Sequence, residues 1–250
     1  MKNILAIDTT SNLASVNVSV LDNNNILYSA YNENNKLTTH SEKLFPLIDK
    51  SLKETNLNIT DIDEYLVCNG PGSFTGTRIG VTTIKGLTIT NDKPIYAFSS
   101  LEAMAFNLYN KLNNDDLLYV SIINAKGLRV YYAIYEFKNN TTNILTIPSA
   151  STITDLLDIL KKDYSHKNII FSTDTTEEYI TIINNYNEYN NTSFKLFNDN
   201  IYVTGNILIK YYTYIKNKEN YKKNTYDLDV EYVRSSSAER IKNGTVSKKS

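Results

Sequence analysis

The chain has 250 residues, of which 41% are hydrophobic and 21% charged, so we expect a folded globular protein of one large domain or two lobes. Its net charge of −1 argues against a protein that grips nucleic acid through a basic face of its own. The single cysteine, Cys68, excludes an intrachain disulfide, and no apolar run approaches the ~20 residues of a membrane span. Cytoplasmic localisation is therefore expected.

The first half of the chain predicts a strand meander followed by alternating helices and strands. Leu44, Leu47, Ile48 and Leu52 have the three-and-four spacing of an amphipathic helix, with Phe45 on another side. The predicted strands are 4–7, 16–20, 26–31, 65–68 and 94–98, and the predicted helices are 41–53, 77–90 and 99–110.

The second half repeats this order less clearly. The predicted strands are 117–123, 129–137, 144–147 and 168–171, and the predicted helices are 154–161, 176–185 and 203–215. Strands first and then strand and helix in alternation, twice over, predict an α/β protein of two lobes. We expect one lobe over 1–103, a second over 104–225, and a C-terminal segment over 226–250 whose end is frayed.

A glycine-rich segment between a predicted strand and a predicted helix is the most informative part of the sequence. Residues 70–80 hold four of the eight glycines. Such a loop can bring backbone N–H groups to a phosphate, but no lysine fits the Walker pattern, and Thr75 stands where the Rossmann pattern requires glycine. A tight turn with close helix packing is the interpretation that the local chemistry favours.

The Asp8-Thr9-Thr10 sequence follows the first predicted strand. Phosphotransferases of the actin and sugar-kinase type hold a metal–nucleotide at such a position, but the glycines that usually accompany it are missing here. A polar turn with side-chain-to-backbone hydrogen bonds is the favoured interpretation. The residues at which a remnant of a nucleotide contact would lie are Asp8, Thr9, Gly70, Gly72 and Ser73.

Residues suited to metal binding or nucleophilic catalysis are few. His40 and His166 are the two histidines, and they are far apart in sequence, so an ordinary zinc site is not indicated. A magnesium site made of carboxylates alone stays open. Ser41 is adjacent to His40, but no triad order is visible.

The chain resembles the TsaB/YeaZ family, strongly over about its first 110 residues. The segments that carry the resemblance are 70–80 (GPGSFTGTRIG), Lys85-Gly86-Leu87, Ser100-Leu101-Glu102-Ala103, Ile7-Asp8-Thr9-Thr10, His40-Ser41-Glu42-Lys43-Leu44 and Tyr232-Val233-Arg234. One departure is at Asn124 and Lys126, where the family usually has Asp and Arg.

The resemblance implies a two-lobed actin/sugar-kinase/heat-shock fold, which is ribonuclease H-like. It also implies a non-catalytic scaffold or activator subunit in the complex that transfers threonylcarbamoyl to N6 of the adenosine beside the anticodon of tRNA. The implied partners are a catalytic TsaD-type subunit, a TsaE-type ATPase and, through the complex, tRNA; a homodimer is a further option. No cofactor of its own is implied; metal is expected in the partner, and ATP or ADP could bind at the partner interface.

The resemblance also implies particular residues. Ser100 and Met104 stand where the catalytic relative has a metal-binding pair of histidines. Partner contact is expected on the helices of the first lobe, at about residues 41–51 and 74–85. Gly76 and Gly80 lie one helical turn apart, which by itself indicates close approach of another backbone, either of this chain or of the partner, and we expect the partner. The interface residues are Ser41, Leu44, Leu47, Ile48, Phe74, Thr75, Gly76, Arg78, Gly80 and Thr83.

Two other functions are open. An active small-molecule kinase or ATPase of the same superfamily would need a second phosphate-binding loop in the second lobe. The candidates there, Gly127 and Gly205, are isolated glycines and not part of a glycine-rich loop. A peptidase would need a metal pair or a triad, and the sequence offers neither.

Overall fold

The strands and helices follow the predicted order. A computed structural model describes residues 1–34, 40–127 and 129–233. The strands are β1 Lys2–Asp8, β2 Ala14–Asp22, β3 Asn25–Asn34, β4 Glu64–Gly70, β5 Ile95–Ser99, β6 Leu117–Asn124, β7 Arg129–Lys138, β8 Thr141–Thr152, β9 Asn168–Ser172, β10 Lys195–Leu196 and β11 Lys222–Lys223. The helices are α1 His40–Glu54, α2 Phe74–Thr88, α3 Ser100–Leu112, α4 Ile153–Asp163, α5 Thr176–Asn190 and α6 Gly205–Tyr214.

One helix begins earlier than predicted. Helix α2 starts at Phe74 rather than at residue 77, because the hydroxyl of Ser73 caps it by accepting a hydrogen bond from the Gly76 N–H. The two-residue strands β10 and β11 were not predicted, since two residues give no periodicity.

The strands form two mixed sheets with the same internal order. The first sheet runs β11-β5-β4-β1-β2-β3 and the second β10-β9-β6-β7-β8. In each, three antiparallel strands form a meander, and its first strand also pairs in parallel with the strand that follows the next helix. This duplicated arrangement confirms the predicted α/β class with two lobes of the actin/sugar-kinase/heat-shock type.

Helices α3 and α6 lie between the two sheets. Helix α3 contacts strands of both sheets. Helix α6 contacts β1, β2, β3 and β4 of the first sheet, and its Tyr211 hydroxyl is hydrogen-bonded to the Thr142 hydroxyl of β8 in the second. The predicted boundary between residues 103 and 104 falls inside α3, and the residue bounds of the two lobes stay a prediction. Glu102 of α3 is buried there and accepts hydrogen bonds from the hydroxyls of Tyr211 and Tyr221.

No helix in the described ranges is both long and apolar enough to cross a lipid bilayer.

Candidate functional site

The turn after β1 is polar and buried. Asp8 is fully buried at the end of the strand and accepts a hydrogen bond from the Thr10 hydroxyl at 2.8 Å. Burial raises the pKa of Asp8 from 3.8 to about 7, although its hydrogen bonds with Thr10 act in the opposite direction. The prediction of a hydrogen-bonded turn at Asp8-Thr9-Thr10 is confirmed.

The glycine loop packs directly on this turn. A Cβ atom at Gly72 or Gly76 would lie within 3.0 Å of the Thr10 or Thr9 carbonyl oxygen, closer than real Cβ atoms come. At Gly80 it would lie 2.5 Å from the Thr9 hydroxyl. Close internal packing is therefore confirmed as the role of these glycines. The expectation that Gly76 and Gly80 face a partner is wrong, because their open side is filled by the chain's own turn.

Hydrogen bonds join the same two segments. The Ser73 N–H donates to the Thr10 carbonyl at 2.7 Å, and the Thr9 hydroxyl donates to the Gly76 carbonyl at 2.7 Å. Gly70, at φ +120°, is covered by the Glu231 carbonyl. The five residues at which a nucleotide contact would lie are thus brought together. Backbone atoms of the chain itself occupy the side of the loop that its glycines leave open, and nucleotide contact stays a prediction.

Five of the ten predicted interface residues are buried within this chain. Leu44 and Ile48 pack in the core of the first lobe with strands β1 and β2, so α1 presents a different face to solvent than predicted. Thr83 is buried, as are Gly76 and Gly80. The other five predicted residues are exposed or half-buried; they are Ser41, Leu47, Phe74, Thr75 and Arg78.

An open apolar groove lies between α1 and α2. Phe45 of α1 is 58% exposed and Phe74 of α2 is 48% exposed, a high degree for two phenylalanines that line one groove. Phe45 was not among the predicted interface residues, although its position away from the buried stripe of α1 was the available signal. The groove is lined by Ser41, Leu44, Phe45, Phe74, Thr75, Arg78, Ile79, Thr82 and Thr83.

Arg78 is held at the edge of this groove. Its Cζ atom lies 3.8 Å from the centre of the Phe74 ring, and its Nε donates a hydrogen bond to the Tyr232 hydroxyl at 2.8 Å. Tyr232 belongs to a segment that sequence reasoning had singled out. Arg234 and the His40 side chain lie outside what the structure describes.

The residues at the place of the relative's metal pair lie inside the protein. Ser100 and Met104 on α3 are both buried. A hydroxyl and a thioether are weak ligands for zinc or iron. Across the described ranges, no three residues among His, Cys, Asp and Glu come together in a way that could hold a metal ion.

Comparison with known sequences points in one direction. A family model described as TsaD, tRNA N6-adenosine threonylcarbamoyltransferase, matches residues 35–206. A tRNA threonylcarbamoyladenosine biosynthesis protein, TsaB of Bacillus subtilis (strain 168), is 32% identical over 161 residues, 64% of this chain and 66% of that protein. TsaB of Buchnera aphidicola subsp. Schizaphis graminum is 33% identical over 138 residues, 55% of this chain and 62% of that protein. The chain thus spans less than two thirds of the length of either relative.

Solved structures show the same fold. YeaZ from Pseudomonas aeruginosa superposes with a TM-score of 0.69, covering 93% of this chain and all of that one. A second structure, of an uncharacterized protein similar to peptidase YeaZ from the same species, gives a TM-score of 0.74 and covers 94% of this chain and all of its own. Since each is 16% identical in sequence, the likeness concerns the fold alone.

Proposed function

Because this chain belongs to the TsaD family, and within it to the TsaB/YeaZ proteins, we propose that it acts in the biosynthesis of threonylcarbamoyladenosine in tRNA. Its role there is that of a non-catalytic scaffold or activator. The catalytic step, transfer of threonylcarbamoyl to N6 of the adenosine beside the anticodon, belongs to a TsaD-type partner. tRNA and a TsaE-type ATPase join through the complex, and the setting is the cytoplasm.

The groove between α1 and α2 is the observation that carries this proposal. Two large aromatic side chains stand open to solvent on either side of an apolar floor. Exposed apolar patches of this kind mark sites of protein association, because covering them removes apolar surface from water. The groove lies on the helices where the family resemblance implies partner contact. A second copy of this chain would compete for the same surface.

The interior supports a non-catalytic role. Ser100 and Met104 are buried on α3, and neither side chain is a good ligand for the metal expected in the catalytic partner. The glycine loop is tied to the Thr9-Thr10 turn by hydrogen bonds in both directions. If ATP or ADP takes part, its place in this proposal is the partner interface and not a pocket of this chain alone.

Reconstitution tests the proposal. The purified chain is incubated with tRNA, ATP, threonine, bicarbonate and the adenylate-forming enzyme, with and without the TsaD-type and TsaE-type proteins of the same organism. We expect threonylcarbamoyladenosine, detected by mass spectrometry, when all proteins are present, and a large loss when this chain is omitted. Modified nucleoside formed without the TsaD-type protein would overturn the non-catalytic role, and undiminished product without this chain would overturn its role in the pathway.

A further inference from the structure

We propose that Arg78 is a preordered receptor for a carboxylate of the partner protein, and that Tyr232 is the residue that positions it. This inference rests on the proposed function, since it names the chemistry of the partner that the groove between α1 and α2 accepts. It predicts that the partner places an Asp or Glu beside a large apolar side chain that enters the groove.

The guanidinium of Arg78 is ordered by aromatic rings on the protein's own surface. Its Cζ atom lies 3.8 Å from the centre of the Phe74 ring and 5.8 Å from that of Tyr232, and the two rings are 5.9 Å apart. An exposed arginine normally loses side-chain freedom when it binds. Here the contacts with Phe74 and Tyr232 restrict that freedom before any partner arrives.

The hydrogen bonds of Arg78 leave its outer edge open. Nε donates to the Tyr232 hydroxyl at 2.8 Å. Among the residues that the structure describes, no acceptor contacts the two terminal nitrogens, and no carboxylate lies within ion-pair distance of them. The planar fork of a guanidinium matches the two oxygens of a carboxylate, and such paired charged hydrogen bonds are shorter and stronger than neutral ones.

The surroundings of Arg78 determine which partner fits. Of the described residues that line the groove, Arg78 alone is charged, so its positive charge has no counterpart there. Phe45 and Phe74 make the remaining surface apolar. A nucleic acid would call for several cations along its backbone. One ordered guanidinium in an apolar groove instead suits a protein surface with one carboxylate and an apolar anchor.

Tyr232 is itself fixed in place. It follows Glu231, whose N–H donates to the Asn69 carbonyl at 2.7 Å, and the Asn69 side chain donates to the Asp229 carbonyl at 3.1 Å. Residues 229–231 are thereby tied to the end of β4, next to the glycine loop. Because Tyr232 is held in this way, its hydroxyl fixes the orientation of the Arg78 guanidinium, and it affects partner binding through Arg78.

Calorimetric titration with the TsaD-type protein of the same organism, at low and high salt, tests the inference. Arg78→Gln should weaken binding about ten-fold and reduce its salt dependence, because one desolvated charge pair is lost. Arg78→Lys should recover little, because it keeps the charge without the fork. Tyr232→Phe keeps the ring and should weaken binding a few-fold while shifting the NMR signal of the Arg78 Nε–H group. Arg129→Gln, an exposed arginine on β7, is the matched control and should bind like the wild type.

The outcomes separate this inference from the function on which it rests. If the wild type binds and Arg78→Gln binds with the same affinity and salt dependence, the inference fails and the proposed function stands. Full recovery with Arg78→Lys contradicts recognition by the fork, and unchanged binding and NMR signal in Tyr232→Phe contradict the positioning role. If the wild type does not bind the TsaD-type protein, both this inference and the proposed function are wrong. If the chain alone binds tRNA and Arg78→Gln does not, the ligand of Arg78 is a phosphate of the RNA and the inference of a partner carboxylate is wrong. Melting temperatures equal to the wild type's show that the variants fold.

Discussion

Helices α1 and α2 of the first lobe are equivalent in topology to α4 and α5 of the second. In each lobe, one helix follows the third strand of the sheet along the chain and the other follows the fourth. Side-chain hydrogen bonds join α4 and α5. The Tyr186 hydroxyl donates to Asp158 at 2.6 Å, and the Lys161 ammonium donates to the Asn190 side chain at 3.0 Å. Among the described side chains of α1 and α2, no hydrogen bond joins the two helices, and a groove separates them. The same topology thus has hydrogen bonds between its two helices in the second lobe and an open groove between them in the first.

The ends of equivalent strands differ in the same way. β1 ends at Asp8, which is buried, whereas β6 ends at Asn124, which is exposed and donates a hydrogen bond to Glu178. Glycines of α2 pack on the Thr9-Thr10 turn after β1, whereas the Thr176 N–H at the start of α5 donates to the Asn200 side chain at 2.8 Å. The first lobe positions α2 by close backbone contact. The second lobe uses side-chain hydrogen bonds.

Gly76→Ala is expected to have the largest effect on this comparison. The new Cβ would meet the Thr9 carbonyl, which is backbone and cannot move aside cheaply, so we expect a loss of about 3 kcal/mol or more in the free energy of unfolding. Urea denaturation measures it. Gly86→Ala is the matched control on the same helix. Nothing lies within 4 Å of its added Cβ, and it should stabilise the helix by up to ~1 kcal/mol. Equal effects of the two substitutions on the free energy of unfolding would contradict the claim that close backbone contact with the Thr9-Thr10 turn positions α2.

Phe45→Asp is expected to have the next largest effect, on binding rather than on stability. Phe45 is 58% exposed, so the fold should survive, while loss of an aromatic anchor should weaken binding to the TsaD-type protein about fifty-fold. Ile159→Asp, on the equivalent helix α4 and 36% exposed, is the control and should leave the affinity unchanged. If Ile159→Asp weakens binding and Phe45→Asp does not, the roles of the two helix pairs are reversed.

The sequence predicted the elements of both lobes better than their contacts. Periodicity identified the apolar stripe of α1 and placed Phe45 outside it, because spacing along one helix determines which residues share a face. It could not show what lies opposite a face. The assignment of Leu44 and Ile48 in that stripe to a partner was wrong, since both are buried in the core. Gly76 and Gly80 were assigned to a partner because the turn that fills their open side lies 67 residues earlier in the chain. The link between Arg78 and Tyr232 spans 154 residues and left no local signal.

Asp8→Asn tests the smallest of the expected differences by giving the end of β1 the residue found at the end of β6. Asp8 is fully buried among Thr10, Cys68 and, from the second lobe, Asp174, and burial raises its pKa from 3.8 to about 7. Below about pH 4 the Asp8 carboxyl is protonated in both the folded and the unfolded chain, so it costs no stability there. Between pH 4 and 7 only the folded chain holds the proton, so this group's contribution to stability falls as the pH rises, and above pH 7 the loss is complete.

Asn keeps an oxygen that can accept the Thr10 hydrogen bond but has no proton to release. We therefore expect Asp8→Asn to be more stable than the wild type at pH 8, on the order of 2 kcal/mol, with the difference shrinking towards pH 4. Thermal and urea denaturation at several pH values measure it. Asp22→Asn, at the exposed end of β2, is the control, because it replaces a carboxyl that is not buried. Parallel curves for Asp8→Asn would mean that Asp8 titrates like an exposed carboxyl. In that case the two strand ends would differ in sequence but not in electrostatics.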